Sequence, residues 1–276
     1  MNNLSKKIED IILLHDKRSI STLQSKLKPG YCLRSAELLL SCDGPIIIGT
    51  GFPVANTFES DGPLGAIALY LVLTQVGKKP LFVCASPMSR SLIKKYDTYE
   101  IPILSAEESR PVIKKAIQDI LPALIITVER AGVAADGNYY NSMKKSITDK
   151  TAKFDLFLEY SDAPSICFGD GGNEIGMGNI HQYLSGLDII PSITKCTELV
   201  ITSVSNWGVY GVIALMSKLV NQDLFDVFDV WQIIQDLIKD GCIDGVTRKS
   251  TKTEDSFELE TGMDIIRQLK QTIGLL

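Results

Sequence analysis

The sequence predicts an α/β protein: a three-layer, mostly parallel doubly wound sheet with helical N- and C-terminal additions. Three observations carry this. Six short runs rich in β-branched residues recur along the chain, and each is apolar on both faces, as strands covered by helices on both sides must be. Stretches of helical periodicity separate them, the alternation expected of right-handed βαβ units. The loops richest in glycine and acidic residues follow the first, fourth and fifth runs, at the sheet edge where such folds bind ligands.

Taken in order, "MNNLSKKIEDIILLHDKRSI" alternates charged and apolar residues in a helical period and has no uninterrupted apolar core of the signal-peptide kind, which suggests a cytoplasmic setting. Strands are then predicted at 45–51, 80–85, 100–104, 123–128, 164–169 and 198–204. Helices are predicted between and beyond them, at 63–77, 87–96, 106–120, 150–160, 173–186 and 206–220. The long apolar stretch from Leu199 to Val220 is interrupted by "SVSNWG", so it reads as a buried strand and a buried helix rather than a membrane span. The tail predicts two amphipathic helices, about 228–240 and 260–272, joined by a polar stretch. With no linker or repeat, one α/β domain over 1–276 is expected, with a core at about 30–220 and a C-terminal helical extension from about 223.

Composition narrows the partners. A chain of 276 residues with a formal charge of −5 offers no basic field for nucleic acid or an anionic membrane, which points to a small molecule and leaves a homo-oligomer open. The six cysteines are scattered, with no C-x-x-C spacing, so neither a zinc knuckle nor a disulfide framework is indicated.

The chemistry is therefore sought in three loops: "GTGFPVANTFESDGPLGA", "ERAGVAADGNYYN" and "GDGGNEIGMGN". Each contains Asp-Gly, and each has a plain structural reading as a helix cap or turn. Three such loops at one sheet edge together favour a ligand site. There is no P-loop, no complete dinucleotide fingerprint and no nucleophile elbow, and two histidines are too few for a His-rich metal site or triad.

The segments "GFPVANTFESDGPLGA", "ERAGVAADGNYYN" and "FGDGGNEIGMGN", in this order and spacing, resemble the signature segments of the D-glutamate cyclase family, and the resemblance covers roughly 30–220. It implies a lyase that converts D-glutamate to 5-oxo-D-proline with loss of water. The sequence departs from the family at Val133, where a basic residue is expected, and in "NSMKKSI", where lysines stand in place of an arginine.

On this reading Asp136, Asp170 and Glu174 are the candidates for acid, base or ammonium binding, with the roles of acid and base left open between them. Arg130 is the expected clamp on a substrate carboxylate, and Asn138, Tyr139 and Asn173 orient the substrate. The N–H groups of Gly171 and Gly172, at the start of a helix, are expected to face the oxyanion. Glu59 and Asp61 line the first loop, where binding an amine or a metal is as consistent as capping. Cyclisation needs positioning rather than ATP, so no cofactor is required, although grouped carboxylates also suit Mg²⁺ or Mn²⁺. A metal-dependent hydrolase or phosphoryl-transfer enzyme is the alternative reading, and a non-catalytic sensor of acidic amino acids is a third.

Overall fold

Runs of isoleucine, leucine, valine and phenylalanine make six strands: β1 (Pro45–Thr50), β2 (Lys79–Cys84), β3 (Thr98–Glu100), β4 (Leu124–Val128), β5 (Ser165–Gly169) and β6 (Glu198–Ile201). In the computed structural model, which describes residues 1–276, they form one sheet in the order β3-β2-β1-β4-β5-β6. All pairs are parallel, with Ile47 beside Leu81 on one side and Ile125 on the other, and Phe168 beside Val200. This is the doubly wound order whose topological switch lies between β1 and β4. The loops after β1, β4 and β5 therefore meet at that crevice.

The helices are α1 (Asn2–Ile12), α2 (Tyr31–Ser41), α3 (Pro63–Gln75), α4 (Met88–Leu92), α5 (Ala106–Ile120), α6 (Asp155–Tyr160), α7 (Ser205–Val220), α8 (Val230–Lys239) and α9 (Leu259–Ile273). Helices α3 and α7 pack together on one face of the sheet, and α5 and α6 on the other. Both α3 and α7 are apolar nearly all round, because sheet lies beneath them and α1, α2, α8 or α9 above. A continuous core of 71 buried apolar side chains runs from Ile8 to Ile273, so both chain ends share it. No helix is long and apolar enough to cross a membrane.

Several predicted elements differ, among them the helix expected at 87–96, which is Met88–Leu92, and the strand expected at 198–204, which ends at Ile201. The third strand is Thr98–Glu100 rather than 100–104, and α6 begins only at Asp155. The helix predicted at 173–186 is absent; short 3₁₀ turns at Met177–Asn179 and His181–Gly186 stand there instead. Gly172 and Gly176 take φ of +108° and +100°, and a Cβ on Gly176 would lie 2.5 Å from that of Cys167. The segment is further held as a loop by backbone bonds, Ile175 N–H to the Arg130 carbonyl and Gly132 N–H to that of Asn173. Its backbone groups are thus bonded across loops rather than along a helix.

The starts of α3 and α7 cap one another. Asp61, just before α3, accepts from the N–H groups of Ser205 and Asn206 at 2.9 Å each, while Asn206 Oδ1 accepts from Gly62 at 2.9 Å and Gly65 at 2.8 Å. The two helix starts are thereby capped by an exchange between segments distant in sequence, and Asp61 also accepts from the N–H of Gly62 at 2.9 Å. The C-terminal segment locks onto the same junction. Its short hairpin (Thr253–Glu254 with Phe257–Glu258) buries Glu254, which accepts from Trp207 Nε1 at 2.8 Å and Asn206 Nδ2 at 2.9 Å.

Burial raises the Glu254 carboxyl to about 7. The folded state thus holds this proton to higher pH than the unfolded chain does. The resulting stability is complete below the ordinary glutamate value and lost as pH rises through neutrality, by on the order of 3 kcal/mol. We therefore expect Tm to fall between pH 5.5 and pH 8.5, and Glu254→Gln to shrink that fall even if it lowers Tm at both. Scanning calorimetry of the two proteins at both pH values checks this, and parallel curves would contradict it.

Candidate active site

At the carboxyl ends of β1, β4 and β5 lies a cavity of about 430 Å³. Its lining includes Glu59, Glu129, Asp170, Glu174 and Asp255, with a single cation, Arg18, among them. Towards the solvent it includes Lys145, Lys150 and Arg248. The inner part is thus strongly acidic and the outer part basic.

The inner carboxylates are compensated in different ways. Glu174 is buried and accepts from the N–H groups of Gly171 and Gly172 at 2.7 Å each and of Asp170 at 3.4 Å. Three backbone dipoles therefore hold its charge. Arg18 forms a bidentate bond with Asp255, at 2.6 and 2.7 Å, and its Nη1 also approaches Asp170 Oδ2 to 2.8 Å. That second contact is off the N–H direction, so it is an ion pair without a directed hydrogen bond. Glu129 accepts from the Ser205 hydroxyl at 2.6 Å. Its backbone is left-handed, with φ of +45°, a conformation unfavourable for glutamate that tends to be retained at functional positions.

Asp61, Glu129 and Asp170 each bring a carboxylate oxygen within 4.8 Å of the other two. Burial raises Glu129 and Asp170 well above the usual carboxylate range, with neighbouring acids adding to the effect and Arg18 opposing it at Asp170. Burial raises Asp61 to about 7, against the pull of its two N–H donors on α7. Burial and the Asp61 charge raise half-buried Glu59 in the same direction. Like charges this close in a poorly hydrated floor cannot all ionise, so part of the cluster holds protons at neutral pH. The three oxygens are also suitable donors for a divalent cation. An ion there would compete with Arg18 at Asp170 and with the start of α7 at Asp61.

The residues singled out in the sequence divide. Glu59, Asp170, Gly171, Asn173 and Glu174 line the cavity, and Asp61 sits beneath it. The N–H groups expected to face an oxyanion are not free, because Gly171 and Gly172 donate to Glu174. Arg130 is buried away from the cavity. Its Nη1 donates to the Gly51 carbonyl at 2.7 Å and its Nη2 to that of Ala152 at 2.9 Å, so it ties the end of β1 to the loop before α6 rather than reaching a substrate. Asp136 is exposed and accepts from Asn138 and the Tyr140 hydroxyl; that hydroxyl holds it below its ordinary value, as in a solvated turn. Asn138 belongs to the same turn. Tyr139 is buried outside the cavity, donating to Asp155 at 2.6 Å and packing with Phe52 and Ile147.

Three inner residues escaped sequence reasoning. Glu129 is the first residue after β4, a position at the carboxyl end of a central strand that could have drawn attention. Arg18 and Asp255 lie in the N-terminal segment and the C-terminal extension, outside the three loops, and no local pattern marks either.

Residues 8–270 match the family model described as D-glutamate cyclase-like, C-terminal. The human protein named D-glutamate cyclase, mitochondrial, is 35% identical over 208 residues, which cover 65% of this chain and 34% of that protein. The chain therefore aligns with about a third of the length of this curated relative. The family match takes in Arg18, the three loops and the hairpin that carries Asp255, and with it the chain belongs to the D-glutamate cyclase-like family.

Proposed function

We propose that the protein is a lyase that cyclises D-glutamate to 5-oxo-D-proline and water, with the buried carboxyls of the cavity moving the protons. The observation that carries this is the close set of Asp170 and Glu129, two cavity-lining acids with different partners. The pairing of Asp170 with Arg18 favours its anion, whereas Glu129 has only a hydroxyl donor and holds its proton more readily. Asp170 is accordingly the base and Glu129 the acid, an assignment the sequence leaves open.

The proton balance supports these roles. Asp170 takes one proton from the substrate ammonium, and Glu129 gives one to the γ-carboxylate, making its carbon electrophilic. The amine attacks that carbon and the C–N bond forms. A second amine proton passes through the ionised Glu129 to the departing hydroxyl, which leaves as water when the C–O bond breaks. The proton on Asp170 then returns to Glu129. Two protons leave nitrogen and two arrive on oxygen, so both carboxyls end as they began. The anionic Glu174 is held by backbone N–H groups and attracts the ammonium from one side. Holding an amine against its own γ-carboxyl is catalysis by positioning.

The test is incubation of the purified protein with D- and L-glutamate, followed by chiral detection of 5-oxoproline. Product from the D-enantiomer in preference, without nucleotide, is expected; product from neither would refute the reading. Glu129→Gln and Asp170→Asn are each expected to lower kcat by ~10²-fold or more with the fold intact. Asp136→Asn, in an exposed turn, should stay within about 2-fold of the parent, since surface changes of this kind leave a remote site undisturbed. A loss at Asp136 with none at Glu129 would transfer the chemistry to the outer loop.

Because Arg18 and the retained protons already relieve the charge of the floor, an obligatory metal is not part of this proposal. Activity should therefore survive exhaustive chelation. Loss on chelation with recovery in Mg²⁺ or Mn²⁺ would instead identify Asp61, Glu129 and Asp170 as ligands.

A further inference from the structure

Three cations line the outer part of the cavity, with Lys144 next to Lys145 in sequence, and they are not equivalent. Lys150 Nζ donates to the Ala55 carbonyl at 2.6 Å and to Asn56 Oδ1 at 3.2 Å. Lys144 pairs with Asp188. Lys145 and Arg248 line the cavity, yet neither has a carboxylate within 4 Å. Arg248 holds a left-handed backbone, φ +58°, and its Nη2 lies 3.8 Å from Met143 Sδ, so it reaches from the C-terminal loop to the loop that carries Lys145. Two unpaired cations thus face one cavity from opposite loops, above a floor that repels anions.

Resting on the cyclase reading, we propose that Lys145 and Arg248 form the subsite for the substrate's α-carboxylate. The amine and the γ-carboxyl then point inward to Asp170 and Glu129. The ligand class follows from this segregation: an α-amino acid whose distal carboxyl folds back onto its own ammonium, leaving the α-carboxylate to point outward. A substrate turned the other way would set its α-carboxylate against Glu59, Glu129 and Asp255. The rim therefore selects both the orientation and the presence of the second carboxylate. It also takes over the clamping expected of Arg130, which is bonded to backbone carbonyls.

The discriminating probe is 4-aminobutyrate, which is glutamate without the α-carboxylate. Calorimetric Kd values for D-glutamate and 4-aminobutyrate, with kcat and KM for D-glutamate, are measured on the parent, Lys145→Ala, Arg248→Ala and the double variant. Each single variant should raise the Kd and KM of D-glutamate by ~10-fold and the double variant by ~50-fold or more, as expected for lost charge-assisted contacts. Values of kcat should stay within ~3-fold, and the Kd of 4-aminobutyrate should not change. Arg248→Lys, which keeps the charge but not the fork, should recover part of the loss. An unchanged D-glutamate Kd in a folded double variant overturns the subsite, as does a parallel rise for 4-aminobutyrate. Binding of D-glutamate by the parent without turnover would refute the cyclase reading and not the subsite, because the Kd comparison needs no chemistry. No binding by the parent removes both.

Discussion

Too many carboxylates meet in too little water. Asp61, Glu129, Asp170, Glu174, Glu254 and Asp255 are all buried around one sheet edge, and Arg18 is the cation placed directly against them. An uncompensated buried charge is among the most costly arrangements a fold can contain, so each acid has to be answered by a donor, a cation or a proton. Much of the surrounding architecture consists of those answers. Asp61 meets the first N–H groups of α7, Glu174 meets three backbone N–H groups of its own loop, Glu254 meets Trp207 and Asn206, and Asp255 meets the guanidinium fork of Arg18.

The same constraint explains why both chain ends belong to the site. Arg18 follows α1, and Asp255 lies in the hairpin before α9; both helices pack on α7, whose N-terminus holds Asp61. The helical additions therefore carry the compensating charge inward as well as covering apolar surface. Asn206 couples the two functions, since it joins the start of α3 to Glu254 through opposite ends of one amide.

The sheet was legible because both-face burial leaves a sharp signature: continuous apolar runs such as Ile46–Ile48 and Leu124–Val128, broken by glycine and acid at their carboxyl ends. The switch-point rule then located the edge and three of its loops. The helix expected after Asp170 failed because two glycines at positive φ and the side chain of Glu174 satisfy that backbone locally, a competition that periodicity does not register. Asp136 and Arg130 were attractive by residue type alone. One lies in a solvated turn and the other among backbone carbonyls, and both outcomes depend on loop paths that sequence pattern does not encode. Arg18 and Asp255 are separated by 237 positions, so their pairing is visible only once the chain has closed.

What separates the inner acids is how completely each is answered. Glu174 accepts from three backbone N–H groups, and Asp255 has a bidentate arginine. Glu129 has one hydroxyl, which can also accept, and it sits on a strained backbone against Asp61 and Asp170. A hydroxyl that either donates or accepts tolerates both protonation states of its neighbour, whereas a backbone N–H favours the anion alone. On the proposed reading, Glu129 is the acid that can give a proton and take it back without rearranging what surrounds it. The other acids are each met by several donors or by a cation, and in the proposed reaction it is this inequality among similar side chains that would let a cluster of carboxylates divide electrostatic work from proton transfer.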